Sequence, residues 1–320
     1  MQNTPQQMKA MAVDEFGGSD NLSLHTLPVP VVDAGEVLVR IEVAGVNVSD
    51  SLEREGRMAF FKQHPFPRVL GGECAGVVAA VGEGVECVAV GDRVYAQPFL
   101  NDKGGTYAQY VVVSQEVVAL VPNGLDMEMA GALPIAGATA LSGLNALGTG
   151  DGTTLMLWGA SGGVGHVALQ LAKLMGARVF AIASGADGVE LAHQLGADEA
   201  VDGHGGDVVS RARAFAPDGF DAAQVLVGGD EVQATLSLVR PGGIIAYPNG
   251  VMPEPKAPDG VELKQANGIA NAMLLDQLNQ LVSRGNFQVH IAQTFPLEEA
   301  AQAQEAMRKH YIGKIVLRVQ

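Results

Sequence analysis

Four glycines fall within seven positions, at Gly159, Gly162, Gly163 and Gly165, between the apolar run TTLMLWGA (153–160) and the amphipathic stretch HVALQLAKL. Glycine permits a tight turn and lets backbone come close to a ligand, while the N-terminus of a following helix offers unpaired N–H groups and a partial positive charge. Those properties suit a phosphate. With a strand before it and a helix after it, the turn has the dinucleotide fingerprint, and we expect Gly159, Ala160, Ser161, Gly162, Gly163, Val164 and Gly165 to wrap a pyrophosphate. A turn built for packing alone would leave four glycines in seven positions without a reason.

In such folds an acidic residue about 20 positions further on holds the adenosine ribose of NAD. Here the second strand, RVFAIAS, ends in Ser184. A carboxylate would repel the 2′-phosphate of NADP, whereas a hydroxyl donates to it, so Ser184 points to NADP(H). The following Gly185, Ala186, Asp187 and Gly188 supply no Lys or Arg for a phosphate, and Asp187 is open to a ribose instead. No metal site is expected, because His25, His64, His166, His193, His204, His290 and His310 show no ligand spacing. Cys74 and Cys87 lie in Gly/Val-rich stretches and read as small buried hydrophobes rather than a disulfide.

The elements that must carry these residues change character along the chain. From Met8 to about Pro122, short Val-rich runs such as EVLVRIEVAGV and CAGVVAAVG are broken by Gly, Pro and Asp, which predicts an all-β unit after a loose extension at residues 1–7. Met127 to Leu147 has helical spacing. Beyond it, apolar strands at 153–160, 178–184, 199–202, 220–228 and 243–249 alternate with amphipathic helices, the pattern of a parallel sheet covered on both faces. Leu recurs at helical spacing from Asn271 to Arg284, and the last segment reads as strand, helix, strand returning to the first domain. The expected division is residues 1–122 with 288–320, and 123–287.

A formal charge of −15 and a pI near 4.8 argue against nucleic acid as a partner, since a phosphate backbone attracts Lys and Arg. No run of about 18 uncharged apolar residues occurs, and the start MQNTPQQMKAMAV has no basic stretch followed by an apolar one. These features predict a soluble, cytoplasmic chain that does not enter a membrane.

From about Met8 to Val319 the sequence resembles the medium-chain dehydrogenase/reductase superfamily, in its quinone-oxidoreductase branch. The likeness is carried by AGVNVSD (44–50), PFPRVLGGECAGVVAAVG (65–82), VGDRVYA (90–96), GTYAQYVVV (105–113), ALPIAGATAL (132–141), the glycine turn, LGADEAVD (195–202), LVRPGGIIA (238–246), FPLEEAAQAQEAM (295–307) and GKIVLRV (313–319). The resemblance implies an α/β chain: a GroES-like β domain completed by the C-terminal segment, a Rossmann doubly wound parallel-sheet domain, and a cofactor cleft separating them. It also implies a homodimer that pairs Rossmann sheet edges, with GVELKQA as the candidate edge.

Zinc-dependent alcohol dehydrogenases of this superfamily have a Cys where this chain has Asn47 and a His in the motif that here reads Gly71-Gly72-Glu73. Their third ligand falls in the segment that here reads Ile135-Ala136-Gly137-Ala138. Their four-Cys lobe has no counterpart between Pro98 and Gly105. A catalytic zinc takes three Cys, His or carboxylate ligands, so the resemblance implies a zinc-free enzyme. An acceptor that delocalises its own charge, a quinone or an α,β-unsaturated carbonyl, suits hydride transfer without a Lewis acid.

By the same resemblance Asn47 and Asp50 lie on the catalytic side of the β domain. The amide of Asn47 is placed to donate to the substrate oxygen or the nicotinamide carboxamide, the hydroxyl of Thr139 to hold that carboxamide, and Lys314 to stand near the cofactor. Asn47 as a mere turn former, Thr139 bonded to its own helix and Lys314 as a solvated hairpin charge are the structural alternatives. Gly228, Pro248 and Asn249 end strands at the carboxyl edge of the sheet, where backbone contacts to the nicotinamide ribose are expected. Relatives carry a Tyr where this chain has Leu52 and an aromatic residue where it has Gly203. The departures imply a product protonated by water and a modest NADP affinity. Residues 52–64, with Phe60 and Phe61, are expected to wall a pocket for a small apolar or aromatic substrate. Reduction of an enoyl thioester or aldehyde, and a non-catalytic NADP-binding role, are the alternative readings.

Overall fold

The computed structural model describes residues 4–58, 60 and 64–319, and all counts here refer to those residues. The chain forms two compact units. One comprises Met1–Ile135, Ala270–Asn279 and Val289–Gln320, and the other Ala136–Ile269 and Gln280–Gln288.

The first unit begins with β1 (Gln7–Val13), which pairs antiparallel with β2 (Leu22–Pro28) and β4 (Arg68–Val69). Strand structure thus already includes Gln7, the last residue of the expected loose extension. The long β3 (Glu36–Val46) leads into the short α1 (Val48–Arg54). β3 pairs antiparallel with β5 (Cys74–Val81) and β7 (Tyr110–Ser114), and β5 continues through β6 (Arg93–Ala96) to β8 (Val118–Leu120). Burial explains the Val-rich composition: Val37, Val39, Ile41, Val78, Val94, Val111 and Val113 share one core, and β-branched side chains pack well on a pleated surface. α2 (Met127–Ala132) lies against β3 and β5. Cys74 is buried as expected, but Cys87 is exposed, its thiol facing the Gln115 carbonyl at 3.8 Å.

The helical run after Met127 is interrupted, because α3 (Pro134–Ala146) starts afresh at a proline, which has no N–H to continue α2 and suits a first helical position. The second unit then alternates β9 (Thr154–Trp158), α4 (Gly165–Leu174), β10 (Arg178–Ala183), α5 (Gly185–Gln194), β11 (Glu199–Asp202), α6 (Val208–Phe215), β12 (Phe220–Val225), α7 (Asp230–Leu236), β13 (Val239–Tyr247) and β14 (Glu262–Gln265). Its six strands are all parallel, in the order β11-β10-β9-β12-β13-β14. The order reverses direction beside β9, the topological switch point at which open α/β sheets bind ligands. β9 and β10 are buried on both faces from Leu155 to Trp158 and from Val179 to Ala183, so they read as continuous apolar runs.

α8 (Ala272–Val282) begins in the residues of the first unit and ends in those of the second, and β15 (Ile291–Pro296), α9 (Ala300–Ala306) and β16 (Lys314–Arg318) belong to the first unit. β16 joins the first sheet antiparallel to β3, with Ile315 opposite Val46 and Arg318 opposite Val43. No helix among the described residues is long and apolar enough to cross a membrane. Phe60 is exposed, its ring 5.0 Å from that of His64, whereas Phe61 lies outside the described residues.

Candidate functional site

In the second unit the glycine turn joins β9 to α4. Gly159 has a φ of +81°, a conformation that L side chains resist, and the amides of Gly159 and Ala160 both donate to the Ile182 carbonyl of β10 at 2.9 Å. The Gly162 amide donates to the Gly159 carbonyl at 3.0 Å, which closes the turn. A Cβ on Gly165 would sit 2.0 Å from that same carbonyl oxygen, so only glycine lets α4 begin this close to the strand. The turn has the form a diphosphate cradle needs, a glycine-lined bend leading into a helix N-terminus, although in α4 the His166 and Ala168 amides already donate to the Gly162 and Val164 carbonyls at 3.1 and 2.9 Å.

Ser184 follows β10. Its amide donates to Ser161 Oγ at 3.1 Å, and its hydroxyl lies 3.2 Å from His204 Nε2. Asp202, at the end of β11, accepts the amides of His204 and Gly185, each at 3.1 Å, and the His204 bond in particular holds its carboxyl below the usual range. Asp187 lies exposed in the first turn of α5. At position 203 a Cβ would lie 3.0 Å from the Trp158 ring and 3.1 Å from Ile182, so a larger residue would require those side chains to shift by a few tenths of an ångström. Gly228 follows β12 and packs on the Met252 carbonyl, where a Cβ would come to 2.3 Å. Pro248 and Asn249 follow β13, and the Asn249 amide donates to Asn267 Oδ1 at 2.7 Å. All these residues gather at the carboxyl ends of the parallel strands. Thr139 is half-buried in α3, against Gly268, where a Cβ would fall 2.4 Å from its Oγ1.

The first unit brings the other expected residues together at the end of β3. Asn47 is half-buried, Glu73 and Lys314 buried. The Lys314 ammonium donates to Glu73 Oε1 at 2.7 Å and to Asn47 Oδ1 at 2.6 Å, while Asn47 Nδ2 donates to Glu73 Oε1 at 2.9 Å. The backbone N–H of Ile135 donates to the other carboxylate oxygen of Glu73 at 2.6 Å. Lys314 completes a buried ion pair with Glu73. Asp50 is buried as well, and its carboxyl accepts the Asn47 amide at 2.8 Å and the Tyr107 hydroxyl at 2.9 Å. Loss of water pushes it up to about 7, against the pull of those two donors. Burial likewise raises Glu53 to about 7, although Arg68 is its ion-pair partner.

Sequence reasoning missed the partners of these residues. Asp50 stands three positions after Asn47, the spacing by which a side chain in the first turn returns to the cap residue's N–H, and that local signal was available. The approach of His204 to Ser184, and of Lys314 to Glu73, joins distant segments and left no local signal.

These features define a two-unit chain with a dinucleotide fold in one unit. It matches the family model for the alcohol dehydrogenase GroES-like domain over residues 33–123 and that for zinc-binding dehydrogenases over residues 163–267. It is 34% identical to 2-methylene-furan-3-one reductase of Solanum lycopersicum over 78% of this chain and 64% of that protein, slightly less than two thirds of its length. It is 29% identical to the chloroplastic NADPH-dependent alkenal/one oxidoreductase of Arabidopsis thaliana over 98% of this chain and 80% of that one. Among solved structures, an NAD-dependent alcohol dehydrogenase superposes with a TM-score of 0.90 at 30% identity, covering 98% of this chain and all of that one. The quinone oxidoreductase of Coxiella burnetii gives 0.85 at 28%, with 98% of this chain and all of that one covered. The chain belongs to the medium-chain dehydrogenase/reductase superfamily, in its quinone-oxidoreductase branch.

The zinc in one family description does not fit the residues present. At the positions where the resemblance places the ligands of metal-dependent members, this chain has Asn47, whose amide oxygen faces an ammonium, Gly72, and the apolar segment Ile135-Ala136-Gly137-Ala138, while the nearby Glu73 carboxylate is already paired with that ammonium. A side chain at position 72 would meet Phe99 and Ile135, each at 3.2 Å. Three Cys, His or carboxylate donors cannot converge there.

Proposed function

We propose that this chain is an NADPH-dependent, zinc-independent reductase that delivers hydride to quinones or α,β-unsaturated carbonyls. The observation that carries the reading is the cation already built into the end of β3: the Lys314 ammonium pairs with Glu73 and with Asn47, the residue that stands where the resemblance places a zinc-ligating Cys. An alkoxide substrate would miss the Lewis acid, whereas a quinone or enone spreads the incoming charge over its own conjugated atoms. The names of the tomato and Arabidopsis relatives support this substrate class, and the second supports NADPH.

The dinucleotide, when bound, supplies the hydride. The turn from Gly159 to Gly165 holds its diphosphate through the backbone amides that the turn's own bonds to Ile182 and Gly159 leave over. Ser184 donates its hydroxyl to the 2′-phosphate, and His204, 3.2 Å from that hydroxyl, joins it as the reader that Asp187 cannot be. Backbone groups at Gly228, Pro248 and Asn249 hold the nicotinamide ribose, and the Thr139 hydroxyl orients the carboxamide. Asn47 donates an amide N–H to the substrate oxygen as negative charge gathers there. Asp50 keeps Asn47 and α1 in place through its bonds to Asn47 and Tyr107. With Leu52 in place of an acid, water protonates the product carbon or oxygen.

Homodimerisation through β14, the edge strand of the six-stranded sheet, belongs to the same proposal. So does residence in the cytoplasm, which localisation of a tagged chain decides because the Arabidopsis relative is named chloroplastic.

Consumption of NADPH and NADH with a naphthoquinone, an enone, an enoyl thioester and a saturated aldehyde tests the reading. Turnover of the quinone and enone is expected, at lower KM for NADPH than for NADH. Turnover of the thioester or aldehyde alone would move the substrate class. Binding without any turnover would leave a non-catalytic dinucleotide-binding protein, and a preference for NADH would remove the argument from Ser184.

A further inference from the structure

Asn47 occupies the cap position of α1, where an asparagine side chain ordinarily accepts an N–H from the first helical turn. Here its oxygen accepts from the Lys314 ammonium at 2.6 Å and its nitrogen donates to Glu73 at 2.9 Å, while the Asp50 carboxyl returns to the Asn47 backbone N–H at 2.8 Å. The strand register brings Asn47, Lys314 and Glu73 together. β3 lies between β16 and β5; Ile315 pairs with Val46 and Cys74 with Ala44, so Lys314 and Glu73 flank the end of β3 from opposite sides. Gly45 admits the Glu73 side chain across the strand, for a Cβ there would lie 2.1 Å from Glu73 Oε1.

The charges fix the orientation of the carboxamide. Turned over, its NH₂ would face an ammonium and its oxygen a carboxylate, two repulsive contacts in place of two hydrogen bonds. Lys314 is 4% exposed and Glu73 0%, so neither charge has water to replace its partner. In this orientation Oδ1 serves the ammonium and one Nδ2 hydrogen serves Glu73. The second Nδ2 hydrogen has no partner among the described residues, and the ammonium on Oδ1 polarises the amide toward a stronger donor.

We propose that Lys314 and Glu73 are positioning residues that lock the Asn47 carboxamide, so that its second N–H is a preset donor for the oxyanion formed when hydride reaches a quinone or enone. The proposal rests on the reductase reading above. The hydride would come from the dihydronicotinamide C–H bond of bound NADPH, which breaks as the ring is oxidised; it forms the new C–H bond on the acceptor, the displaced π electrons move to oxygen, and the Asn47 N–H stabilises that oxygen until water supplies the proton. A donor already in place needs no reorganisation at the moment of transfer.

Kinetics of Lys314→Met, Lys314→Arg, Asn47→Ala, the double variant Lys314→Met with Asn47→Ala, and Lys314→Met with Glu73→Gln test the lock. Lys314→Met is expected to lower kcat about 10- to 100-fold with NADPH affinity unchanged, and Lys314→Arg to restore part of the loss. On the Asn47→Ala background, Lys314→Met should have no further effect. Combining Lys314→Met with Glu73→Gln guards against misfolding from an unpaired buried carboxylate. The stability of that double variant should return while its kcat stays low, because a neutral amide at position 73 no longer holds Asn47 in one orientation. A normal kcat in that variant, multiplying losses with Asn47→Ala, or a loss confined to NADPH affinity would overturn the proposal.

If the wild-type chain turns over no substrate, the reductase reading fails, and NMR of the Asn47 side-chain amide tests the lock by itself. Two well-separated N–H signals, both displaced by Lys314→Met, are expected; signals unmoved by that change would refute it.

Discussion

At the scale of single residues, Asp50 makes the clearest demand on pH. Its carboxyl rises from 3.8 to about 7 because burial strips it of water, so the folded chain holds its proton more tightly than the unfolded one. Stability from this group is fully present below pH about 4 and lost as pH rises through about 7. Glu53 contributes with the same sign, despite Arg68. Asp50→Asn keeps an oxygen for the Asn47 amide and the Tyr107 hydroxyl but never ionises. Urea unfolding at about pH 5 and about pH 8 should therefore show the wild type losing about 2–3 kcal/mol more than Asp50→Asn over that interval. Parallel losses would mean that Asp50 is ionised in the folded chain throughout.

At the scale of elements, the turn between β9 and α4 concentrates the cofactor argument. Gly165→Ala would push a methyl group to 2.0 Å from the Gly159 carbonyl oxygen and 2.8 Å from Ala160 Cα, both backbone atoms that cannot swing aside. The variant should bind NADPH at least about tenfold more weakly, since α4 must retreat from the strand that the fingerprint places against it. Trp158, the only tryptophan, ends β9 with its indole N–H on Thr235 Oγ1 at 2.8 Å, and quenching of its emission reports the binding. Equal titrations of wild type and variant would disconnect the turn from the cofactor.

This element is legible in the sequence because its signals are local: an apolar run, a glycine cluster and an amphipathic run within about 20 residues. The five apolar runs read as strands of the second domain all became strands of one parallel sheet. The break between α2 and α3 passed unnoticed, although Pro134 marks it. The cluster at the end of β3 was only half legible. Resemblance named Asn47 and Lys314, but Lys314 stands 267 residues from Asn47 and 241 from Glu73. Only the pairing of β16 and β5 with β3 brings them together, and no periodicity records that.

At the scale of the whole molecule, the sheet that closes the first unit includes the last strand of the chain, so the internal cation of the candidate site arrives with β16. Truncation before Lys314 would remove a strand and that cation together, whereas a metal-dependent relative holds its cation through exchangeable ligands. The central claim is therefore a difference in what the two kinds of protein lose under chelation. NADPH-dependent reduction of a naphthoquinone, measured before and after exhaustive dialysis against a strong zinc chelator with metal content checked by mass spectrometry, decides it. The account requires an unchanged rate from protein that contains no zinc. A rate abolished by chelation and restored by added zinc would contradict it.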